Sequence, residues 1–192
     1  MQYYSEYIDS VYEALKTVVV SSLDGKELPV EEGLERWCSL TQQVKLANRT
    51  MYFAGNGASA MMASHMAVDA SKNGGFRSLA FNDAAFLTAV SNDISYEDSF
   101  SMPLGRFGAS EDVLVTISSS GNSPNILKAI RTARDLRMHV ITLSGMTQQN
   151  KSRYMGDLNF YIPAQTYGLV EGTHQVLLHC WLDRYMDHFQ EG

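Results

Sequence analysis

Only two of the 192 residues are cysteine, Cys38 and Cys180, and only four are proline. The cysteines stand far apart, and neither shows CxxC or other metal-type spacing. A disulfide framework or a thiolate zinc site therefore has little support, and reduced thiols of the cytoplasmic kind are expected. Positive charge is also in short supply, since 15 Lys and Arg face 21 Asp and Glu for a formal net charge of −6. That balance leaves no basic surplus to neutralise a phosphate backbone, so nucleic acid is not expected as a direct partner. Long hydrophobic runs are missing as well. Stretches such as VLLHCWL are interrupted well before the roughly 20 residues of a membrane span. The N-terminal MQYYSEYIDSVYEALK lacks the basic start and apolar centre of a signal peptide. A soluble chain with no membrane partner is expected.

What the chain does have is enough apolar material, 45% of its residues, for one substantial core, at a length too short for two domains of ordinary size. Residues 1–192 are read as one domain, with a helical extension over 1–48 and an α/β core over 49–192. Tyr4, Ile8, Val11, Leu15 and Val18 to Val20 recur at helical spacing, as do Leu34, Trp37, Leu40, Val44 and Leu46, which predicts two leading helices. The intervening SSLDGKELP reads as a loop. From Met51 onward short β-rich runs are each followed by a turn and a helical stretch. Strands are predicted over 50–54, 77–81, 112–117, 139–143 and 158–162. Helices are predicted over 58–72, in NDAAFLTAV, in NILKAIRTARDL and, as one long closing helix, over 170–189. Continuous apolar strands that alternate with helices predict a parallel sheet covered on both faces, a three-layer sandwich. Ligands of such sheets bind beyond the carboxyl ends of the strands, where GNGAS and SSSGNS both fall.

Ser118, Ser119, Ser120 and Ser123, with Gly121 and Asn122, lie between a strand and a helix whose first position is Pro124 and whose N-cap is Ser123. Such a start leaves backbone N–H groups free at the positive end of a helix, with four hydroxyls nearby, and a phosphate is the natural occupant. A tight βα turn with no ligand is the plainer alternative; four serines in six residues favour the ligand. No GxxxxGK[ST] follows, so a phosphomonoester fits better than a nucleoside triphosphate. In GNGAS, Gly55 and Gly57 serve equally well for a positive φ or for close helix packing. Because position 60 is Ala60, the loop does not match GxGxxG, and a dinucleotide fold is disfavoured. Beside SSSGNS it becomes the second wall of one pocket. His65 and Asp69, four residues apart, share a helix face and read either as a solvated polar pair or as half of a cation site.

The chain resembles the sugar isomerase (SIS) domain family, and more closely its phosphoheptose isomerase branch. The resemblance rests on GNGAS with its His-bearing helix, VSND, DVLVTISSSGNS, HVITLSG and EGTHQVLLH, after two leading helices. It implies a flavodoxin-like five-stranded parallel sheet with a long C-terminal helix, a homotetramer with each active site built between subunits, and interconversion of sedoheptulose 7-phosphate and glycero-manno-heptose 7-phosphate. By position it carries phosphate or sugar contacts over to Ser118, Ser119, Ser120 and Ser123, to Asn56, Gly57 and Ser59, to Asn92 and Asp93, and to Glu171. It further implies a zinc ion held by His65, Asp69, Glu171 and His179, with Asp69 and His179 as the acid–base pair. Eight helical residues rise about 12 Å, so Glu171 and His179 converge only if Glu171 lies at or before the helix start, or reaches down.

The family commonly has Glu where this chain has Asp69, Gln where it has Glu171, Arg at Asn73, and Asp-Arg at Gly168 and Leu169. His174 matches a family histidine whose orientation the sequence leaves open, while His139 and His188 are read without a role. The first helix, with Tyr3, Tyr7 and Tyr12, packs either between subunits, as the resemblance implies, or in its own core. Three functions compete: a sugar-phosphate isomerase, a non-catalytic SIS adaptor like the relative that assists replication initiation, and a sugar-phosphate-sensing regulator. Retention of both His65 and His179 favours the first, and no basic DNA-binding segment supports the third.

Overall fold

The chain opens with α1 (Tyr3–Lys16), a hairpin of β1 (Val19–Ser22) and β2 (Glu27–Leu28), and α2 (Val30–Leu46) in the computed structural model, which describes residues 2–189. Residues 1 and 190–192 of the expected 1–192 domain lie outside the described ones. Strand and helix then alternate through β3 (Thr50–Gly55), α3 (Ala58–Lys72), β4 (Arg77–Ala80), α4 (Ala84–Asp93), α5 (Asp98–Phe107), β5 (Val113–Ser118), α6 (Pro124–Asp135), β6 (His139–Gly145), β7 (Leu158–Ile162) and α7 (Tyr167–Phe189).

The sheet order is β2-β1-β7-β6-β5-β3-β4. The five expected strands are all present and mutually parallel, and among themselves they follow the 2-1-3-4-5 order of flavodoxin-like folds. Seven strands rather than five make up the described sheet. β1 runs antiparallel to β7, from Val19 opposite Tyr161 to Ser22 opposite Leu158, and β2 closes on β1. The 1–48 segment is therefore not purely helical. Three consecutive valines end the helix at Lys16 because β-branched residues pack better on a pleated surface than in a helical turn. The Asp24 carboxylate, accepting from Ser22 Oγ and the Lys26 N–H, then shapes the turn between the two strands.

Alternation along each strand divides the core. Met51 and Phe53 of β3 join Val113, Val115 and Ile117 under α2, α3 and α7, whereas Tyr52, Ala54 and Leu114 pack under α5 and α6. The first face is locked by Trp37 of α2 stacked on Trp181 of α7, with ring centroids 4.4 Å apart and both side chains fully buried. Trp181 Nε1 donates to Thr41 Oγ1 at 3.1 Å, and Arg184 pairs with Glu31 and Glu35 of α2. These contacts fix α7 along the sheet. α5, which the sequence did not announce, buries Phe100 and Leu104 despite Pro103 inside it. No helix among the described residues is long and apolar enough to cross a membrane.

Candidate functional site

The sheet reverses its strand order between β3 and β5, and the loops that follow these two strands form the walls of one cavity. At the end of β5, Ser118 and Ser119 are each only 5% exposed, and Ser119 Oγ is buried with no hydrogen-bond partner. A lone buried hydroxyl is unfavourable unless something else satisfies it. Ser123 occupies the N-cap position of α6 in extended conformation with Pro124 after it, as the sequence indicated, yet its hydroxyl makes no capping bond. It is left free, at the positive end of a helix. The loop is held from behind. Gly121, at φ +62°, leaves no room for a side chain, because a Cβ there would overlap Asn150 Oδ1. Asn150 in turn donates to the Thr147 and Gly145 carbonyls, while the Ser152 N–H donates to Gly121 O at 2.9 Å.

The other wall is built by β3 and the start of α3. Gly57 has φ +58° and open space where its Cβ would be, so its requirement is conformational: it turns the chain into α3 and places Ser59 inside. Asn56 exchanges hydrogen bonds with Asn125 of α6 at 2.9 Å each way and accepts from Tyr96 Oη at 2.8 Å. Asn125 also donates to Ser99. This amide pair ties the two loops together across the strand-order reversal. The cavity between them, about 130 Å³, is lined by the anticipated Asn56, Ser59, Ser118, Ser119, Ser120, Ser123 and Glu171, with Tyr167 added. Among the described residues, Glu171 is its only lining carboxylate.

Asn92 and Asp93 are not brought to this cavity. They end α4 as exposed residues, with Asn92 Nδ2 donating to Asp93 Oδ1 at 2.8 Å. Tyr96, three residues on, makes the contact to Asn56 instead. Neither Tyr96 nor Tyr167 carried a sequence signal. Asn125 had one, as a short polar residue in the first turn of a helix that starts at Pro124.

α3 and α7 lie side by side and run in the same direction, Ser59 and Glu171 meeting at the serine cavity and His65 and Asp69 meeting His179 further along. His65 Nε2 is 3.3 Å from Asp69 Oδ2, and the two imidazoles are 5.3 Å apart between centroids. One donor atom from each of His65, Asp69 and His179 lies within 4.8 Å of the others. Glu171 does not join this group. α7 begins at Tyr167 rather than Val170, so Glu171 is well inside a continuous helix, about 12 Å of rise from His179. Glu171 instead lines a second hollow of about 320 Å³ together with Met62, His65 and Gln175. Its side chain stands between the two, lining both the serine cavity and the hollow that His65 lines. Two imidazole nitrogens and one carboxylate oxygen are the donor set of a three-ligand zinc site with a fourth position open.

His174 lines neither of these cavities. It is fully buried, its Nε2 is 3.3 Å from Ser144 O, its Nδ1 has no partner, and burial pushes its pKa down to about 4. At Gly168 a side chain would meet the Tyr7 hydroxyl, so α1 packs on the first turn of α7 just where the family's Asp-Arg pair is missing. Asn73 Nδ2 lies 3.4 Å from Asp69 Oδ1.

The SIS domain family matches residues 7–145. The chain is 30% identical over 182 residues to the phosphoheptose isomerase of Helicobacter pylori (strain ATCC 700392 / 26695), covering 92% of each chain. It is 33% identical over 152 residues to that of Coxiella burnetii (strain RSA 331 / Henzerling II), covering 75% of this chain and 76% of the relative. The fold superposes on the phosphoheptose isomerase GmhA of Neisseria gonorrhoeae with a TM-score of 0.83 at 28% identity, covering 96% and 95% of the two chains.

Proposed function

The chain belongs to the SIS domain family, and we propose that it is a metal-assisted aldose–ketose isomerase that converts sedoheptulose 7-phosphate to D-glycero-D-manno-heptose 7-phosphate. One observation supports this reading: the serine cavity and the His65–Asp69–His179 group lie along the same two helices, α3 and α7, with Glu171 lining both the serine cavity and the hollow beside His65. A non-catalytic adaptor has no need of that second group.

In this reading the Ser119 and Ser123 hydroxyls and the open first turn of α6 hold the phosphate. Asn56 and Ser59 orient the sugar chain, which extends past Glu171 toward His65. From ketose to aldose, a proton leaves C1 as the C2 carbonyl oxygen gains one, giving an enediol. A proton then returns to C2 as the C1 hydroxyl gives up its own. The Asp69 carboxylate and the His179 imidazole accept and return these protons. His65, Asp69 and His179 suit Zn²⁺, which when bound would stabilise negative charge developing on the substrate oxygens.

We further propose a homotetramer with sites shared between subunits. Tyr3, Tyr4, Ile8 and Tyr12 form an exposed apolar face on α1. A hollow of about 530 Å³ beside the edge strand β4 has Val68 and Leu79, both exposed, in its wall, and faces of this kind mark contacts between proteins. Asn92 and Asp93, exposed in one chain, would then meet a neighbour's substrate. The two free thiols, one of them exposed, fit the reducing cytoplasm.

The test is turnover of sedoheptulose 7-phosphate combined with metal analysis. Zinc near one per chain and activity, both lost in His179→Ala, are expected. Full activity in a zinc-free preparation would remove the metal, and no turnover by the folded protein would remove the isomerase.

A further inference from the structure

A second polar hollow, of about 420 Å³, opens at the amino ends of the strands, away from the serine loop. Lys45 from the last turn of α2, Arg49 just before β3, and Arg77 at the first position of β4 line it, with Asn48 and Ser71 beside them. Thr50 pairs with Arg77 in the parallel register, so the two arginines stand at the starts of neighbouring strands, whose axes lie about 4.8 Å apart. β3 separates this hollow from Asn56 by six residues, roughly 20 Å of strand.

Three cations in one wall repel one another, and proteins ordinarily offset such a group with carboxylates. Here the chain does not. None of Lys45, Arg49 and Arg77 forms an ion pair with any described residue. The carboxylate nearest in register is that of Asp112, before β5, and it is committed elsewhere, accepting the Thr50 N–H at 2.9 Å and the Ala109 N–H at 2.8 Å. Arg49 Nε is also buried with no hydrogen-bond partner, a condition native structures seldom leave unsatisfied. In a chain of net charge −6 this is a local excess of cations with a donor already desolvated.

We propose that this hollow binds a small phosphorylated anion, with the two guanidinium groups and the Lys45 ammonium as donors. A guanidinium presents paired N–H groups that match phosphate oxygens two at a time, and Asn48 and Ser71 supply neutral contacts. Three cations suit a diphosphate group better than a monoester. The ring of Phe76, at 5% exposure, has too little free face to stack on a base, so the phosphates are what the site recognises. The site is separate from the isomerase reading and stands or falls independently of it.

The test is calorimetric titration of the whole chain with inorganic phosphate, pyrophosphate and ADP as separate arms. It is run in a Ser119→Ala/Ser123→Ala background that weakens the serine cavity. Saturable pyrophosphate binding near one per chain is expected, with ADP of similar affinity and phosphate weaker. Adding Arg49→Gln and Arg77→Gln should weaken pyrophosphate at least about tenfold, and in an otherwise wild-type chain that pair should leave sedoheptulose 7-phosphate turnover unchanged. If the arginine pair fails to fold by circular dichroism, Lys45→Ala carries the same test with a loss of several-fold. The proposal is overturned by pyrophosphate binding no tighter than about 1 mM, or by unchanged affinity in the cation variants. It is equally overturned if those variants alter only the assembly mass, which would make the hollow a protein contact.

Discussion

His174 sets a measurable acid limit on stability. Its ring is fully buried, the only acceptor beside it is the Ser144 carbonyl, and its pKa falls from 6.5 to about 4, chiefly because burial disfavours the imidazolium, an effect the Ser144 bond offsets in part. The native state therefore keeps His174 neutral where the unfolded chain has begun to protonate. Between pH 6.5 and pH 4 the unfolded state binds more protons, so stability is fully present above pH 6.5 and is lost as the pH falls toward 4. A difference of about 2.5 pKa units at 1.36 kcal/mol each comes to about 3 kcal/mol, a large share of the 5–15 kcal/mol typical of a domain. Carboxylates contribute their own acid losses, but these are common to the wild type and a His174→Gln variant. The quantity to measure is the difference between the two proteins in urea-unfolding free energy, at pH 7.5 and again at pH 4.5. The wild type should lose about 2 to 3 kcal/mol relative to the variant over that interval, because pH 4.5 stops just short of the folded pKa. A difference that stays constant within about 0.5 kcal/mol would refute the argument, because it would mean that the native ring titrates as the unfolded one does.

Ser123→Ala separates the ligand role from the structural one. An N-cap serine ordinarily contributes about 1 kcal/mol, but this hydroxyl makes no cap bond, so the melting temperature should hold while KM for the sugar phosphate rises about tenfold. Gly121→Ala should cost about 1–3 kcal/mol through its φ of +62° and the displacement of Asn150, with a matching loss of phosphate affinity by calorimetry. Glu171→Gln removes the only carboxylate lining the serine cavity. Relief of order 1 kcal/mol of repulsion should tighten a phosphomonoester about fivefold, and unchanged affinity would place Glu171 out of reach of the phosphate. Trp181→Ala, which empties the stack on Trp37 and removes the indole N–H donated to Thr41, should lower unfolding free energy by about 3–5 kcal/mol in denaturant titration.

The parallel core was legible because its strands are buried on both faces and so read as unbroken apolar runs such as VLVTI, each closed by a turn. What was not legible depends on partners distant in sequence. Val18 to Val20 satisfy a helical period as well as a strand, and only pairing with 158–161 of β7 decides between them. Likewise DSFSMPLGRF has a proline and several polar residues, so its burial against α6 is visible only once Phe100 and Leu104 meet Ile126 and Ile130. At the site, the serines and the His65–Asp69 pair were readable because their spacing is local. Tyr96 and Asn125 were not read, because their value lies in contacts to Asn56 across 40 and 69 positions. Asn92 and Asp93 were carried over by resemblance, and a single chain leaves them exposed.

Two helices running in the same direction make the site a ruler. Ser59 and Glu171 mark one end, His65, Asp69 and His179 the other, and since both helices are unbroken their separation is fixed by helical rise. From Ser59 to His65 that is six residues, about 9 Å. On the proposed reading, a ligand held by its phosphate at the serine loop would span this distance to bring its reacting carbons to the imidazoles, which would favour an extended, open-chain sugar over a compact ring. The same ruler bears on the shorter Asp69. Glu-to-Asp shortening withdraws the carboxylate by roughly one bond from whatever it serves, and near-ångström misplacement is enough to slow chemistry about 100-fold. Asp69 compensates only if its backbone stands closer to the substrate, and its contact with His65 at 3.3 Å keeps it at the imidazole end. Glu171, by contrast, stands at the serine end, in the wall of that cavity and of the hollow beside His65. The departure that charges one position without changing its length, Glu171, and the departure that shortens another, Asp69, therefore act at opposite ends of the two helices, and each is to be judged by its effect on the span between phosphate and imidazoles.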